Sequence, residues 1–172
     1  MDLKEAIKNR HSVRRFSNKK LPKELISEIL EYAHLAPSAG NLQARDFIIV
    51  DDENQKINLA KASLDQMFMA EAPVNIVVCA NLNRISPYGY RGKGLYCIQD
   101  SAAAVEHILL LAVDKGLSAC WIGAFDEDAV SQILELPPHI RPVAIIPIGY
   151  TLGKIETTSR INMKLLTHFN KW

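Results

Sequence analysis

The stretch from Cys97 to Lys115 constrains this chain more than any other. It is nearly all helix former: Asp100, then Ser101-Ala102-Ala103-Ala104, then an apolar run from Val105 to Val113. A helix apolar almost all the way round has to be buried on most of its sides. In a chain of 172 residues this predicts a core helix that is also a seam against a second copy, with small residues letting another helix approach closely. His107 within it reads as a satisfied interior or interface histidine, and Gly116 caps the helix.

The strands follow from apolar runs. Val74-Asn75-Ile76-Val77-Val78-Cys79-Ala80 is continuous with one amide and suits a buried central strand. Phe47–Val50, a short strand within Leu117–Phe125 and a last strand over Pro142–Tyr150 complete the set. Pro147 argues that this last strand lies at an edge or is ending. Helical spacing covers residues 2–9, and Leu21-Pro22 opens a stronger helix with Leu25, Ile26, Ile29, Leu30, Ala33 and His34 on one face until Pro37. His34 reads as a helix-end residue. Residues 53–70 read as one or two helices, with Met67, Phe68 and Met69 as packing. Asp126 can cap a helix over 127–135. Residues 81–96 carry Pro87, Gly89, Gly92 and Gly94 among Tyr88, Tyr90, Arg91 and Tyr96, and read as a long loop able to act as a lid or pocket wall. Gly92-Lys93-Gly94 lacks the further glycine and Ser/Thr of a P-loop. No linker or repeat divides the chain, so residues 1–172 are expected to form one domain, with a polar tail from Thr151 that has no evident core role.

Hydrophobic residues make up 48% and charged residues 23%, ordinary for a globular protein, and the net charge of +1 calls for neither nucleic acid nor an anionic membrane. No apolar run approaches spanning length and Met1–Glu5 has no signal-peptide core. Cys79, Cys97 and Cys120 lie far apart without CxxC spacing. The expectation is a reduced, cytoplasmic protein without disulfides or metal.

Against that near-neutral background Asn9-Arg10-His11-Ser12-Val13-Arg14-Arg15-Phe16 stands out. If extended, its period of two puts Arg10, Ser12 and Arg14 on one face, two guanidiniums with a hydroxyl between them. Such a face suits the bidentate needs of a phosphate or of ring carbonyls. Taken alone the segment reads as a solvated basic turn; the ligand reading comes from downstream. Ala36-Pro37-Ser38-Ala39-Gly40-Asn41-Leu42-Gln43 is a loop of turn formers, either a helix-to-strand connector or a recognition loop. Asn41 and Gln43 each offer a donor and an acceptor, as needed to read the edge of a heterocycle. The chain shows no HExxH, no GxSxG and no clustered Cys and His, and a phosphate clamp with ring-reading amides but no acid–base pair suits a cofactor enzyme.

Arg-His-Ser-Val-Arg at 10–14, Ala-Pro-Ser-Ala-Gly-Asn-Leu-Gln at 36–43, Gln99-Asp100 opening an Ala-rich helix, Gly116-Leu117 through Trp121-Ile122-Gly123, and Pro147-Ile148-Gly149-Tyr150 occur in one order. In this the chain resembles the nitroreductase family of FMN-dependent flavoproteins, in its compact subgroup. The resemblance implies an α+β fold: a mixed, largely antiparallel central sheet flanked by helices, in an intertwined homodimer holding two FMN at its interface. It implies that Arg10 and Ser12 contact the phosphate, Arg14 the pyrimidine end, and His11 the cofactor through its backbone. Pro37, Ser38, Asn41 and Gln43 are expected from the other subunit. Ile122 and Gly123 are expected by the ring, with a backbone N–H toward flavin N5, and Arg160 is expected to join the phosphate site on a tail, 151–172, that crosses to the partner.

Thr151 and Ile161-Asn162 depart from the family pattern around that tail, and Asp65 or Gln66 is the nearest substitute for an asparagine that larger members carry. The activity implied is hydride transfer from NAD(P)H to flavin, then electrons to a nitroaromatic, quinone or similar conjugated acceptor in a ping-pong cycle. Without a GxGxxG fingerprint, NAD(P)H would stack on the flavin rather than occupy a Rossmann domain. The alternative is a non-redox flavin-binding module for storage or sensing.

Overall fold

The structure, a computed structural model, describes residues 1–155 and 157–172. Four antiparallel strands form one sheet in the order β1-β2-β4-β3: β1 Arg45–Val50, β2 Val74–Asn81, β3 Ser118–Ala119 and β4 Ile140–Gly149. The continuous apolar run is β2, buried at every position between β1 and β4. Its alternate residues feed two cores. Ile76 and Val78 join Ala144, Ile146 and Ile148 under helices α2 (Lys23–His34) and α6 (Cys97–Asp114). Val77, Cys79 and Ile145 face α3 (Glu53–Ala62), α4 (Phe68–Glu71) and α7 (Glu127–Ile133), meeting Leu59, Met69 and Val130. Asn75, the amide in the run, donates to the Met69 carbonyl at 3.0 Å and so ties α4 to the strand. The result is a three-layer α+β architecture. The cysteines are free and buried, and burial pushes the Cys79 thiol up to about 12.

Local chemistry sets the helix ends. Asp2, Asp52 and Asp126 each accept a backbone N–H in the first turn of α1 (Leu3–Asn9), α3 and α7. Gly116 ends the α6 region with φ 70°. His107 is satisfied as expected, its Nδ1 lying 3.2 Å from the Tyr32 carbonyl. Within one subunit, however, α6 buries one face only: Cys97, Ser101, Ala104, Val105, Ile108, Leu109 and Ala112 are covered, while Ala102, Ala103 and Leu110 are half-exposed.

Three expectations are corrected. Pro147 is in neither an edge strand nor a strand end, because β4 pairs with β2 on one side and β3 on the other. Its carbonyl accepts the Cys120 N–H at 3.2 Å, so the missing donor faces the side where β3 gives out after Ala119. The segment 81–96 is no irregular loop. A 3-10 turn at Ser86–Tyr88, helix α5 (Gly89–Arg91) and a π-helical turn at Gly92–Tyr96 lead directly into α6. Gly92 is required there by packing, since a Cβ would sit 2.6 Å from Tyr88 Cβ and 2.9 Å from the Ile85 carbonyl. Lastly, the continuous helical stretch Ser86–Asp114 has the length and apolar composition to cross a bilayer, which its separate pieces in sequence do not. It packs instead against α2 and the sheet as the core helix of the domain.

Candidate functional site

After α1 the backbone turns extended at Arg10 (φ −69°, ψ 114°). Ser12 bridges to Ala119 in parallel sense, the Val13 N–H donates to the Ala119 carbonyl at 3.1 Å, and Phe16 bridges to Thr151. Val13 and Phe16 are buried with Ala72, which turns the other face outward. Ser12 and Arg14 are exposed on either side of buried Val13, as a period of two predicts there, but Arg10 and His11 are both half-exposed and Arg15 is exposed beside buried Phe16, so the alternation holds only over 12–14. Among the described residues none of Arg10, Arg14 and Arg15 forms an ion pair with a carboxylate. The cluster surrounds Cys120. Burial raises that thiol above its ordinary value, while Arg14, the Ser12 hydroxyl and Arg10 act in the opposite direction. His11 is half-buried beside them.

The 36–43 loop is held from several directions. The Gln43 N–H donates to Ser38 Oγ at 3.0 Å, and the Ala39 N–H to Asp100 Oδ1 at 2.9 Å. Gly40, Asn41 and Gln43 all lie in the left-handed region, with φ 55°, 55° and 47°. For Gly40 this is free, and its missing Cβ makes room for Tyr88, whose hydroxyl would stand 2.4 Å from one. For Asn41 and Gln43 it is a strained arrangement that the surroundings must maintain. Gln43 Nε2 donates to both Asn41 Oδ1, at 2.8 Å, and the Asn41 carbonyl. Asn41 Nδ2 and Gln43 Oε1 are therefore the donor and acceptor left for a ligand. Pro37 is exposed and Ser38 half-buried at the loop's start.

At Ile122 and Gly123 the expectation divides. The Ile122 N–H donates to the Ile145 carbonyl at 2.9 Å and is committed. Gly123 is exposed, and its N–H has no backbone partner among the described residues. Next to it, Gln66 Nε2 donates to the Ala124 carbonyl at 3.3 Å and to Ser63 at 2.8 Å, while Asp65 is exposed. Arg160 stays local in the exposed tail, donating to Thr158 Oγ1 at 2.8 Å.

The structure brings Arg10, Ser12, Arg14, Ile122 and Gly123 to one corner of the sheet, at β3, but not the 36–43 loop. That loop enters β1, the opposite edge, at the Arg45 end. Ala119 is level with Ile148 and Val74, whereas Arg45 is level with Ala80, six residues further along β2. Three strand spacings and six residues of rise place Ser12, at Ala119, roughly 25 Å from Arg45, while Ile122, which bridges Ile145 level with Val77, is roughly 17 Å away. The basic segment and the 36–43 loop thus stand at opposite corners of the sheet within the chain.

Sequence reasoning missed the residues that fix the loop. Arg45 is buried at the start of β1, its guanidinium donating to the carbonyls of Ala36 (2.6 Å), His34 (2.7 Å), Pro37 (3.2 Å) and Asp100 (3.2 Å). Burial pulls it below its ordinary pKa, and the Asp100 carboxylate opposes the shift. Arg84 donates to the Gln43 and Arg45 carbonyls at 2.7 and 2.9 Å. Tyr88 and Tyr96 pack edge to face at 5.4 Å and, with Pro37, Ser38 and Gln99, line a cavity of about 430 Å³.

Known proteins resemble this chain in sequence and in fold. A family model, described as Nitroreductase family, matches residues 7–71 and 64–150. A protein of Methanothermobacter thermautotrophicus with the assigned name NADH dehydrogenase/NAD(P)H nitroreductase is 31% identical over 176 residues, covering 100% of this chain and 88% of its own length. The crystal structure of a nitroreductase family protein from Clostridium novyi NT superposes with a TM-score of 0.81 at 31% identity, covering 88% of this chain and 86% of that one. A nitroreductase family protein from Clostridium difficile 630 does so with a TM-score of 0.90 at 25% identity over the whole of both chains. With the family model matching most of its length and a relative 31% identical over the whole of it, the chain belongs to the nitroreductase family and is an oxidoreductase of that kind.

Proposed function

We propose that the protein is an FMN-dependent NAD(P)H oxidoreductase that works as a homodimer, each site combining the basic corner of one subunit with the 36–43 loop of the other. The observation that carries this reading is the arginine cluster. Arg10 and Arg14 flank the Ser12 hydroxyl on an exposed face with no carboxylate paired to them among the described residues. Uncompensated guanidiniums of this kind suit a phosphate.

The residues fit the rest of FMN. Asn41 Nδ2 and Gln43 Oε1 offer a donor and an acceptor to the ring edge, the Gly123 N–H is a free donor, and Gln66 beside it takes the place that Asp65 or Gln66 was expected to fill. Arg14 near the ring would stabilise negative charge that accumulates on reduction. The separation of the half-sites supports the dimer, as do the half-exposed Leu110 and the exposed Leu3, Tyr32 and Leu35 around the outer face of α6. Arg160 would reach a phosphate only across the subunit boundary. Bound flavin supplies the chemistry, accepting hydride from NAD(P)H and passing electrons to a nitroaromatic, quinone or similar conjugated acceptor that takes the nicotinamide's place. The protein's part is to bind, orient and balance charge.

The test is to purify the protein, release its cofactor and identify it, then mix the holoprotein anaerobically with NADH or NADPH. FMN whose absorbance bleaches, and returns on adding a nitroaromatic or quinone, is the expected result. FAD or no flavin overturns the cofactor assignment. Flavin that stays oxidised overturns the redox function in favour of a storage or sensing module.

A further inference from the structure

Arg45 and Asp100 are 3% and 5% exposed behind the 36–43 loop, Asp100 also forming part of the wall of the cavity beside Tyr88 and Tyr96. Arg45 spreads its guanidinium over four carbonyls, those of His34, Ala36, Pro37 and Asp100. Asp100 Oδ1 takes the Ala39 N–H. Among the described residues the Arg45 Nε donor and the Asp100 Oδ2 acceptor are both buried without a hydrogen-bond partner.

The loop cannot hold its own shape. Gly40, Asn41 and Gln43 are left-handed in close succession, and two of them carry a Cβ. The chain is tethered before that stretch by Arg45 at residues 34–37 and by Asp100 at Ala39, and at its end by Arg84 at Gln43. The guanidinium serves four carbonyls from one buried position, one more than the three donors of an ammonium allow. Asp100 stands in the first turn of α6, so the loop is coupled through it to the core helix.

We propose that Arg45 and Asp100 are positioning residues that set the affinity of the 36–43 loop for the flavin ring, an inference that rests on the FMN reading above. They touch no ligand. They fix where Asn41 and Gln43 present their free donor and acceptor.

The test measures Kd for FMN and for riboflavin, by quenching of flavin fluorescence, on the full-length protein freed of its cofactor, with thermal unfolding alongside. The variants are Asp100→Asn, Asp100→Leu and Arg45→Lys. Asp100→Asn keeps an oxygen for the Ala39 N–H and should bind both ligands within about threefold of the unsubstituted protein. Asp100→Leu and Arg45→Lys should weaken both ligands by about tenfold or more and by the same factor. The FMN-to-riboflavin affinity ratio, which reports the phosphate contacts of Arg10, Ser12 and Arg14, should not change. A purely structural role would lower the unfolding temperature and leave the Kd of the folded fraction alone, and that result overturns the proposal. So does equal loss in Asp100→Asn and Asp100→Leu, or a change in the ratio. If Arg45→Lys does not fold, the contrast between the two Asp100 variants decides. An unsubstituted protein that binds neither ligand defeats the FMN reading itself.

Discussion

Ile122 and Ile145 exchange both of their backbone hydrogen bonds, at 2.9 and 3.0 Å. This reciprocal pair fixes Ile122 against β4 and leaves Gly123 to offer the exposed N–H. A Cβ at Gly123 meets only Trp121 Nε1, at 4.0 Å. Gly123→Ala should therefore fold with stability within about 0.5 kcal/mol of the unsubstituted protein. Gly123→Val should lower flavin affinity, because the added atoms stand where a ligand would approach. Unfolding curves and flavin titration check the two outcomes, and a Gly123→Val protein with full affinity would place the ring elsewhere.

Arg10→Ala should leave the protein folded and weaken FMN by ten- to a hundredfold, corresponding to roughly 1.5–3 kcal/mol for a charge-assisted hydrogen bond. The loss should shrink as salt rises, since part of it is Coulombic. Titration at low and high ionic strength measures both. Unchanged affinity would put Arg10 outside the site.

The tail can be removed cleanly, though not at Gly149. Ser17 donates to the Tyr150 carbonyl at 2.8 Å and Leu152 to the Arg15 carbonyl at 3.0 Å, so residues 150–152 brace the basic strand from within the same subunit. A chain ending at Ile155 should keep that brace, and the packing of Ile155 on Val13, Phe16 and Ala72, while losing the exposed Ile161, Leu165, Leu166, Phe169 and Trp172. It should dissociate more readily and hold less flavin, as read by sedimentation and by flavin absorbance. A truncated protein that stays dimeric and fully loaded would show that the tail has neither role.

Gly40→Ala should destabilise the protein by about 1–2 kcal/mol, from a left-handed alanine and the approach to Tyr88. Tyr88→Phe removes the atom at 2.4 Å. In a double-mutant cycle Gly40→Ala should cost measurably less in the Tyr88→Phe background. Strict additivity would mean that conformation alone accounts for the loss.

Arg141 donates to both carboxylate oxygens of Glu127, at 2.8 and 2.7 Å, joining α7 to β4. That hydrogen bonding holds Glu127 below the usual carboxylate range. A depressed folded pKa gives stability that is present above the ordinary glutamate value and is lost as pH falls through the lower one. The pair is substantially exposed, so solvent screening limits its contribution to under about 1 kcal/mol. Glu127→Gln should lose that amount at neutral pH and converge with the unsubstituted protein in acid, as pH-dependent denaturant curves would show.

The parts of the fold that could be read from sequence were those where periodicity and burial coincide. β2 is apolar because both its faces are covered, and Ile26, Ile29 and Ala33 mark the inner side of α2 at helical spacing. The exposure of Ser12 and Arg14 around buried Val13 was legible from a two-residue period, whereas a ligand role for the segment came only from the rest of the chain. The helical course of 81–96 was hidden by its glycines. Gly89 takes φ 54°, and Gly92 exists for close packing rather than for flexibility. Pro147 misled because its cost depends on which side of the strand is paired, a tertiary fact. Arg45 and Arg84 gave no signal: their partners are backbone carbonyls, which every residue has, and only the folded loop gathers them around a guanidinium.

The separation of the basic segment from the 36–43 loop, on the dimer proposed above, bears on inheritance as well as on binding. In a two-fold dimer, a subunit lacking Arg10 and one lacking Asn41 would together rebuild one intact site, while the second site would collect both defects. Each altered chain alone would have no intact site. Two alleles that are each inactive would complement each other in the same cell, and up to half the sites of every mixed dimer would return.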